Sequence, residues 1–218
     1  MPRRASAFEL ALVLGLPTIA WACASLSWLT HRGGHATLSD TGLLAVVGEE
    51  AVFCGFLLPF LRGRGWSPAA VAGEPEPKDV LRGALVWLSS YVAFVVVWIA
   101  FVSLAPALGP TLRTPPFTVG ASAASILFVS VLNSVFEEFL WLGYGVSALR
   151  SRVGLRGACL VSIALRVAIH AYQGPMAIVG IVPLAVVFTL YYARTGRLWP
   201  VVVAHIIADA AGFASLHR

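Results

Sequence analysis

Eight ionisable side chains sit where a strongly apolar chain should carry none. Glu49, Glu50, Glu137, Glu138, Arg166, His170, His205 and Asp209 all fall within long hydrophobic stretches. An ionised group at mid-bilayer costs at least ~2.5–3.5 kcal/mol even on lenient insertion scales, so such residues face one another or water and by default mark function. Their spacing assigns faces. Arg166 and His170 are four apart, as are His205 and Asp209, and each pair shares one side of a helix. Asn133, Glu137 and Tyr144 are expected to line a single stripe. The adjacent Glu137 and Glu138 point about 100° apart. One can therefore address a reacting centre while the other pairs with a neighbouring helix, for which Arg166 is the natural partner.

Such a set suits activation of water. Glu137 could act as general base, and His205, oriented by Asp209, could donate to an oxyanion, with Glu138, Arg166 and Asn133 in support. Two other readings stay open. His170, His205 and either Glu137 or Asp209 could bind zinc and leave room for a water. Acids and histidines at one depth also suit a proton-coupled carrier. Plain structural roles compete as well: an Arg166 ion pair that only locks packing, or a His205–Asp209 clasp between helices. Glu49 and Glu50 either support the site or serve packing alone. The chain has no Gly-x-Ser-x-Gly and no His-Glu-x-x-His, so neither a serine elbow nor a one-helix zinc motif is indicated. Cys23, Cys54 and Cys159 lie apart in apolar runs and read as small buried residues.

The elements that must position these groups follow from composition. Of 218 residues, 59% are hydrophobic and 11% charged, against about 25% charged in soluble domains. The chain reads as an all-α polytopic membrane bundle. Apolar runs fall at 8–29, 41–61, 83–105, 126–149, 157–172, 176–193 and 198–216. They must be helices, because backbone facing lipid has to satisfy its own hydrogen bonds. The first run is longer than a signal-peptide core and is expected to remain as a span.

With seven spans and a cytoplasmic N-terminus, eleven Lys and Arg residues lie inside and three (Arg32, Arg113, Arg218) outside, as the positive-inside rule asks. The net charge of +5 thus reflects topology and gives no sign of nucleic-acid binding. Counted from the cytoplasmic ends at ~1.5 Å per residue, Glu50, Glu137, His170, His205 and Asp209 lie roughly 12–21 Å deep, in one layer. Segment 63–79 is expected to be a solvated linker, and 117–125 a lead-in or surface helix. His31, His35 and His217 read as solvated.

One ordered set of motifs carries a family likeness. It comprises Glu137-Glu138; Arg166-x-x-x-His170 followed by Ala171-Tyr172-Gln173-Gly174-Pro175; Tyr191-Tyr192-Ala193-Arg194-Thr195-Gly196-Arg197-Leu198-Trp199-Pro200; and His205-x-x-x-Asp209. This set resembles the CPBP family of CAAX proteases and bacteriocin-processing intramembrane endopeptidases, over roughly residues 118–213. The resemblance implies a catalytic bundle at 118–213 behind accessory helices at 1–117. It implies Glu137 and His170 as the pair that activates water, and His205 and Asp209 on the carbonyl side. It further implies a membrane protein or peptide as substrate, the lipid bilayer as surroundings, no nucleic acid and no required cofactor, with zinc as the alternative. A bacterial plasma membrane is the expected location, and a bacteriocin-immunity-type membrane protein is the non-enzymatic alternative within the family. The sequence departs from the family pattern twice. Leu142 stands where Glu-Glu-x-x-x-Arg has its arginine, and Arg166 stands where Phe-x-x-x-His has its phenylalanine. Arg166 is accordingly expected to supply from one helix the cation missing from another.

Overall fold

A computed structural model describes residues 4–31, 36–104, 117–174 and 176–216. Arg3, Arg32, His35, Arg113, Pro175, His217 and Arg218, which enter the sequence reading, lie outside them. Among the described residues seven helices follow in order: α1 (Ala7–His31), α2 (Asp40–Gly63), α3 (Pro68–Ala72), α4 (Lys78–Leu104), α5 (Ala123–Ile169), α6 (Met176–Thr195) and α7 (Trp199–Leu216). Five stretches are long and apolar enough to cross a membrane, and Val179–Thr195 is a shorter apolar helix. On α4 the side chains of Leu81, Leu85, Leu88, Val92, Val96 and Ile99 are exposed, a lipid-facing band and not a soluble surface. The protein is an all-α polytopic membrane bundle.

At 47 residues, α5 is too long for one pass at ~1.5 Å per residue. It turns back at Gly154, whose φ of 72° is a conformation that side chains with a Cβ rarely adopt. Ser162 bonds the Trp141 carbonyl, and Arg166 bonds Glu138. Both pairs are centred near residue 152, so the two limbs run antiparallel. Counting them separately gives the seven apolar passes expected from sequence.

Residues Glu138–Tyr144 are wound as a π-helix. Looser turns release carbonyls and advance the side-chain register by roughly 100° for each extra residue. Two hydroxyls collect the released groups: Ser162 Oγ donates to Trp141 O at 2.8 Å, and Tyr192 Oη to Gly143 O at 3.3 Å. The register shift removes Tyr144 from the expected Asn133–Glu137 stripe. Tyr144 instead donates to Glu9, at 2.9 Å.

Glu9 is buried in α1 and also accepts from Trp66 Nε1 and Arg64 Nε, at 2.8 and 2.9 Å. Its partners come from α5 and from the segment after α2, so it ties three parts of the chain together. That segment is not the solvated linker its prolines suggest. Trp66, Val71 and Ala72 are buried, and Leu198 N donates to Ala72 O. Asp79, 3% exposed, takes ion pairs from Arg82 and Arg197. The linker is a folded clasp between α2 and the start of α7.

At the opposite end, Phe117–Val119 is a strand and not the expected surface helix. It pairs in parallel with Ala36–Leu38, matching Thr37 to Thr118. Ser122 then caps α5, and its N–H and hydroxyl both donate to Asp40 at the start of α2. Prolines at 115 and 116 disfavour helix just upstream, and pairing gives the extended backbone its partners.

Helices α4 and α7 touch at Gly83. A Cβ built there would lie 2.5 Å from Val203 Cβ and 2.8 Å from the Pro200 carbonyl. Because one obstacle is backbone, the helices would have to separate. Gly83→Ala should therefore destabilise the protein by about 1–3 kcal/mol. Thermal unfolding in detergent checks this, and an unchanged midpoint would contradict the close contact.

Candidate active site

The centre of the site is Glu138, fully buried in the π-helix of α5. Arg166, from the returning limb, grips it with both terminal nitrogens, Nη1 to Oε1 and Nη2 to Oε2, each at 2.7 Å. His205 of α7 donates from Nδ1 to the same Oε1 at 2.6 Å. The Phe188 ring lies 5.8 Å from the Arg166 guanidinium carbon and 6.1 Å from the His205 ring. Three ionisable groups from three passes thus form one buried relay. Such a relay is tolerable only because each oxygen of Glu138 and each donor facing it has a partner.

The other nitrogen of His205, Nε2, is 3.3 Å from Asp209 Oδ1. That is ion-pair distance, longer than the bond to Glu138. Asn133 Nδ2 reaches Asp209 Oδ2 at 3.4 Å. The expected orientation of His205 by Asp209 is thus the weaker restraint, and Glu138 is the stronger. His170 ends the second limb of α5. Its Nδ1–H donates to the Arg166 carbonyl at 2.8 Å, which leaves Nε2 for other partners. Its ring stacks on Tyr172, with centroids 6.1 Å apart. Tyr172 is a neighbour that the sequence shows only as part of a motif, although its place two residues after His170 is a usable signal.

Glu137 is 7% exposed and lies within electrostatic reach of Arg166, Tyr172 and Glu50. Its Oε2 is buried without a hydrogen-bond partner among the described residues, and so is Ser134 Oγ, one turn earlier on the same face. Buried polar atoms in this condition take water as their partner. Glu50 of α2 is 3% exposed and in electrostatic reach of Glu137, Asp209 and His205, whereas Glu49 is exposed. The structure therefore gathers Asn133, Glu137, Glu138, Arg166, His205, Asp209 and Glu50, ties His170 to the Arg166 backbone beside them, and leaves Glu49 out. Leu142 is fully buried in an apolar cluster with Phe188 and Val201.

The zinc alternative would place a metal at His205 Nε2, the nitrogen 3.3 Å from Asp209, while Nδ1 keeps its bond to Glu138. Among the described residues, no three His, Cys, Asp or Glu side chains are disposed to hold a metal ion.

Residues 119–211 match the family model described as Type II CAAX prenyl endopeptidase Rce1-like. No curated protein and no solved structure showed significant similarity to the chain. The matched segment contains every site residue except Glu50, and it includes both departures from the family pattern. That segment, with its ordered Glu-Glu, His and His-x-x-x-Asp motifs, matches the Rce1-like CAAX endopeptidase family, in agreement with the resemblance to the CPBP family that those motifs carry.

Proposed function

We propose that this chain hydrolyses a peptide bond of a membrane-anchored or exported protein or peptide, using water activated by Glu137 and His170. One observation carries the reading: a carboxylate oxygen buried without a hydrogen-bond partner among the described residues, beside a relay in which both oxygens of Glu138 are already bonded. Glu138 cannot serve as base, because Arg166 and His205 occupy both of its oxygens. Glu137 is left to take a proton from water as the hydroxide attacks the scissile carbonyl. His205 is held by Glu138, and its Nε2–H is only loosely engaged by Asp209, so the carbonyl oxygen can replace Asp209 as acceptor while charge develops on it. The proton on Glu137 then passes to the departing amine. The bacterial plasma membrane is the proposed setting, and the depth of the site favours approach from the outer side.

Purified protein in liposomes, presented with peptides that carry apolar C-terminal tails, should cleave them at a rate unaffected by strong chelators. Loss of cleavage that zinc restores would replace this mechanism with a metal-dependent one. Proton flux without any cleavage would establish a carrier instead.

A further inference from the structure

Among the described residues, Glu9, Thr18 and Ser25 are the buried polar side chains of α1, and all three bond to α5. Tyr144 Oη donates to Glu9 at 2.9 Å, and Trp141 Nε1 donates to Thr18 Oγ1 at 2.7 Å. Ser25 Oγ donates to the Ile169 carbonyl at 2.5 Å. Thr18 and Ser25 are seven residues apart and share a face, whereas Glu9 and Thr18, nine apart, would lie on opposite sides of a regular α-helix. The π-helix at Ala11–Gly15 absorbs an extra residue and cuts that angle to roughly 80°. Glu9 and Thr18 thereby turn toward the same limb.

These bonds land on the parts of α5 that frame the site. Trp141 and Tyr144 belong to the π-helix that starts at Glu138. Trp141 is held twice, its indole by Thr18 and its carbonyl by Ser162 of the returning limb. Trp21, one turn on from Thr18, lies edge-on to Trp141 at 6.0 Å and sits 5.5 Å from Phe136, the neighbour of Glu137. A π-turn releases backbone carbonyls, so contacts from outside the turn set its register. Ile169 is the last residue of α5, where helix carbonyls lack intrahelical donors. Ser25 supplies one just before His170, whose backbone has left the helix at φ −93° and ψ 11°. Together with the bond from His170 Nδ1 to the Arg166 carbonyl, it fixes the backbone from which the imidazole projects.

Resting on the hydrolase reading, we propose that Thr18 and Ser25 are positioning residues, and that α1 is a splint along the catalytic limbs. Thr18 sets the π-turn register behind Glu137 and Glu138, and Ser25 sets the end of α5 behind His170, so that one water meets both groups. Neither hydroxyl touches the reacting atoms. Neither bonds to the relay of Arg166, Glu138 and His205, so their loss acts on turnover of bound substrate and not on binding. Glu9 closes the splint at its other end, but its further bonds to Arg64 and Trp66 make it a poor probe of positioning alone. The splint lies outside the family-matched residues 119–211.

Kinetics of the purified protein in liposomes test this, with a tail peptide whose cleavage requires Glu137. Thr18→Val keeps the shape of threonine and removes the acceptor for Trp141, and Ser25→Ala removes the donor to Ile169. Each should lower kcat about ten-fold with KM unchanged, because small misplacements at a reacting centre act on the bound complex. Thr18→Ser, which restores the hydroxyl, should return to within about two-fold of wild type. Ser89→Ala, which loses a bond within α4, should match wild type. The double variant Thr18→Val/Trp141→Phe should be no slower than Trp141→Phe, since both changes remove the same bond. Wild-type kcat in Thr18→Val and Ser25→Ala, a Thr18→Ser variant as slow as Thr18→Val, or losses that multiply in the double variant would each overturn the proposal. Amide hydrogen exchange read by mass spectrometry reports on the same contacts without catalysis. Exchange should quicken at 138–144 in Thr18→Val and at 166–174 in Ser25→Ala, and stay at the wild-type level over α4. Exchange unchanged at both segments overturns the proposal, and so does quickening throughout the chain, which marks a role in stability alone. If no peptide is cleaved in a Glu137-dependent way, the hydrolase reading fails, and the exchange pattern still decides whether α1 holds these two segments.

Discussion

Membranes from cells carrying Glu137→Ala or His170→Ala should retain uncut C-terminal tails on the same few proteins, and wild-type membranes should not. The two changes remove different parts of one step. Without Glu137 the proposed base is gone, and Glu138 has both of its oxygens taken by Arg166 and His205. Without His170 the imidazole at the end of α5 is gone, together with its stack on Tyr172. Loss of a general base typically lowers the rate by about 10²–10⁴-fold, enough to turn processed tails into unprocessed ones in a steady-state comparison. Mass spectrometry of C-termini reads this while the substrate is still unidentified, and the shared set of uncut proteins then identifies it. Both variants should remain abundant. Glu137 Oε2 has no hydrogen bond to lose, and the one bond of the His170 ring goes to a carbonyl within its own helix. Unchanged tails with both variants folded would end the hydrolase reading.

The site was legible in the sequence to the extent that membrane cost makes charge conspicuous. Glu50, Glu137, Arg166, His170, His205 and Asp209 stood out because nothing but function or pairing keeps such groups in apolar runs, and counting from helix ends placed them in one layer. The pairing of Arg166 with one of the two adjacent glutamates was readable from the 100° between them. What escaped was geometry that breaks helical regularity. The π-helix at Glu138–Tyr144 shifts the register, so Tyr144 turns to Glu9, and nothing in its composition announces an i→i+5 turn. Glu9 itself lies at the very start of the first apolar run, where a charge draws no notice, although three donors converge on it. The clasp at 63–79 was hidden by its prolines and charges, which mark loops by correlation only. Trp66, Val71 and Ala72 bury it against residues far along the chain. The pairing of 36–38 with 117–119 joins segments about eighty residues apart, beyond the reach of any local pattern.

Arg166→Leu should abolish processing and lower stability by about 3–5 kcal/mol, the usual consequence of leaving one member of a buried ion pair unpaired. Glu138 would be fully buried and retain only His205 as a partner. Two second-site variants separate structure from function. In Glu138→Leu/Arg166→Leu the buried charge is gone from both sides, so stability should return toward wild type, as apolar replacement of a buried pair often allows. Activity should stay lost, because His205 then has only the longer contact to Asp209 to orient it. In Arg166→Leu/Leu142→Arg the cation is supplied from the first limb of α5, four residues beyond Glu138, the position at which the family pattern carries it. Some activity should return, limited by the apolar cluster into which Leu142 is packed. Thermal unfolding together with tail processing reads all three variants. Recovered stability with recovered activity in the double leucine variant would reduce the relay to packing. A double arginine–leucine exchange that is folded yet wholly inactive would show that Arg166 does more than supply charge, since the guanidinium would also be needed where it now lies, over Phe188 and one turn before His170.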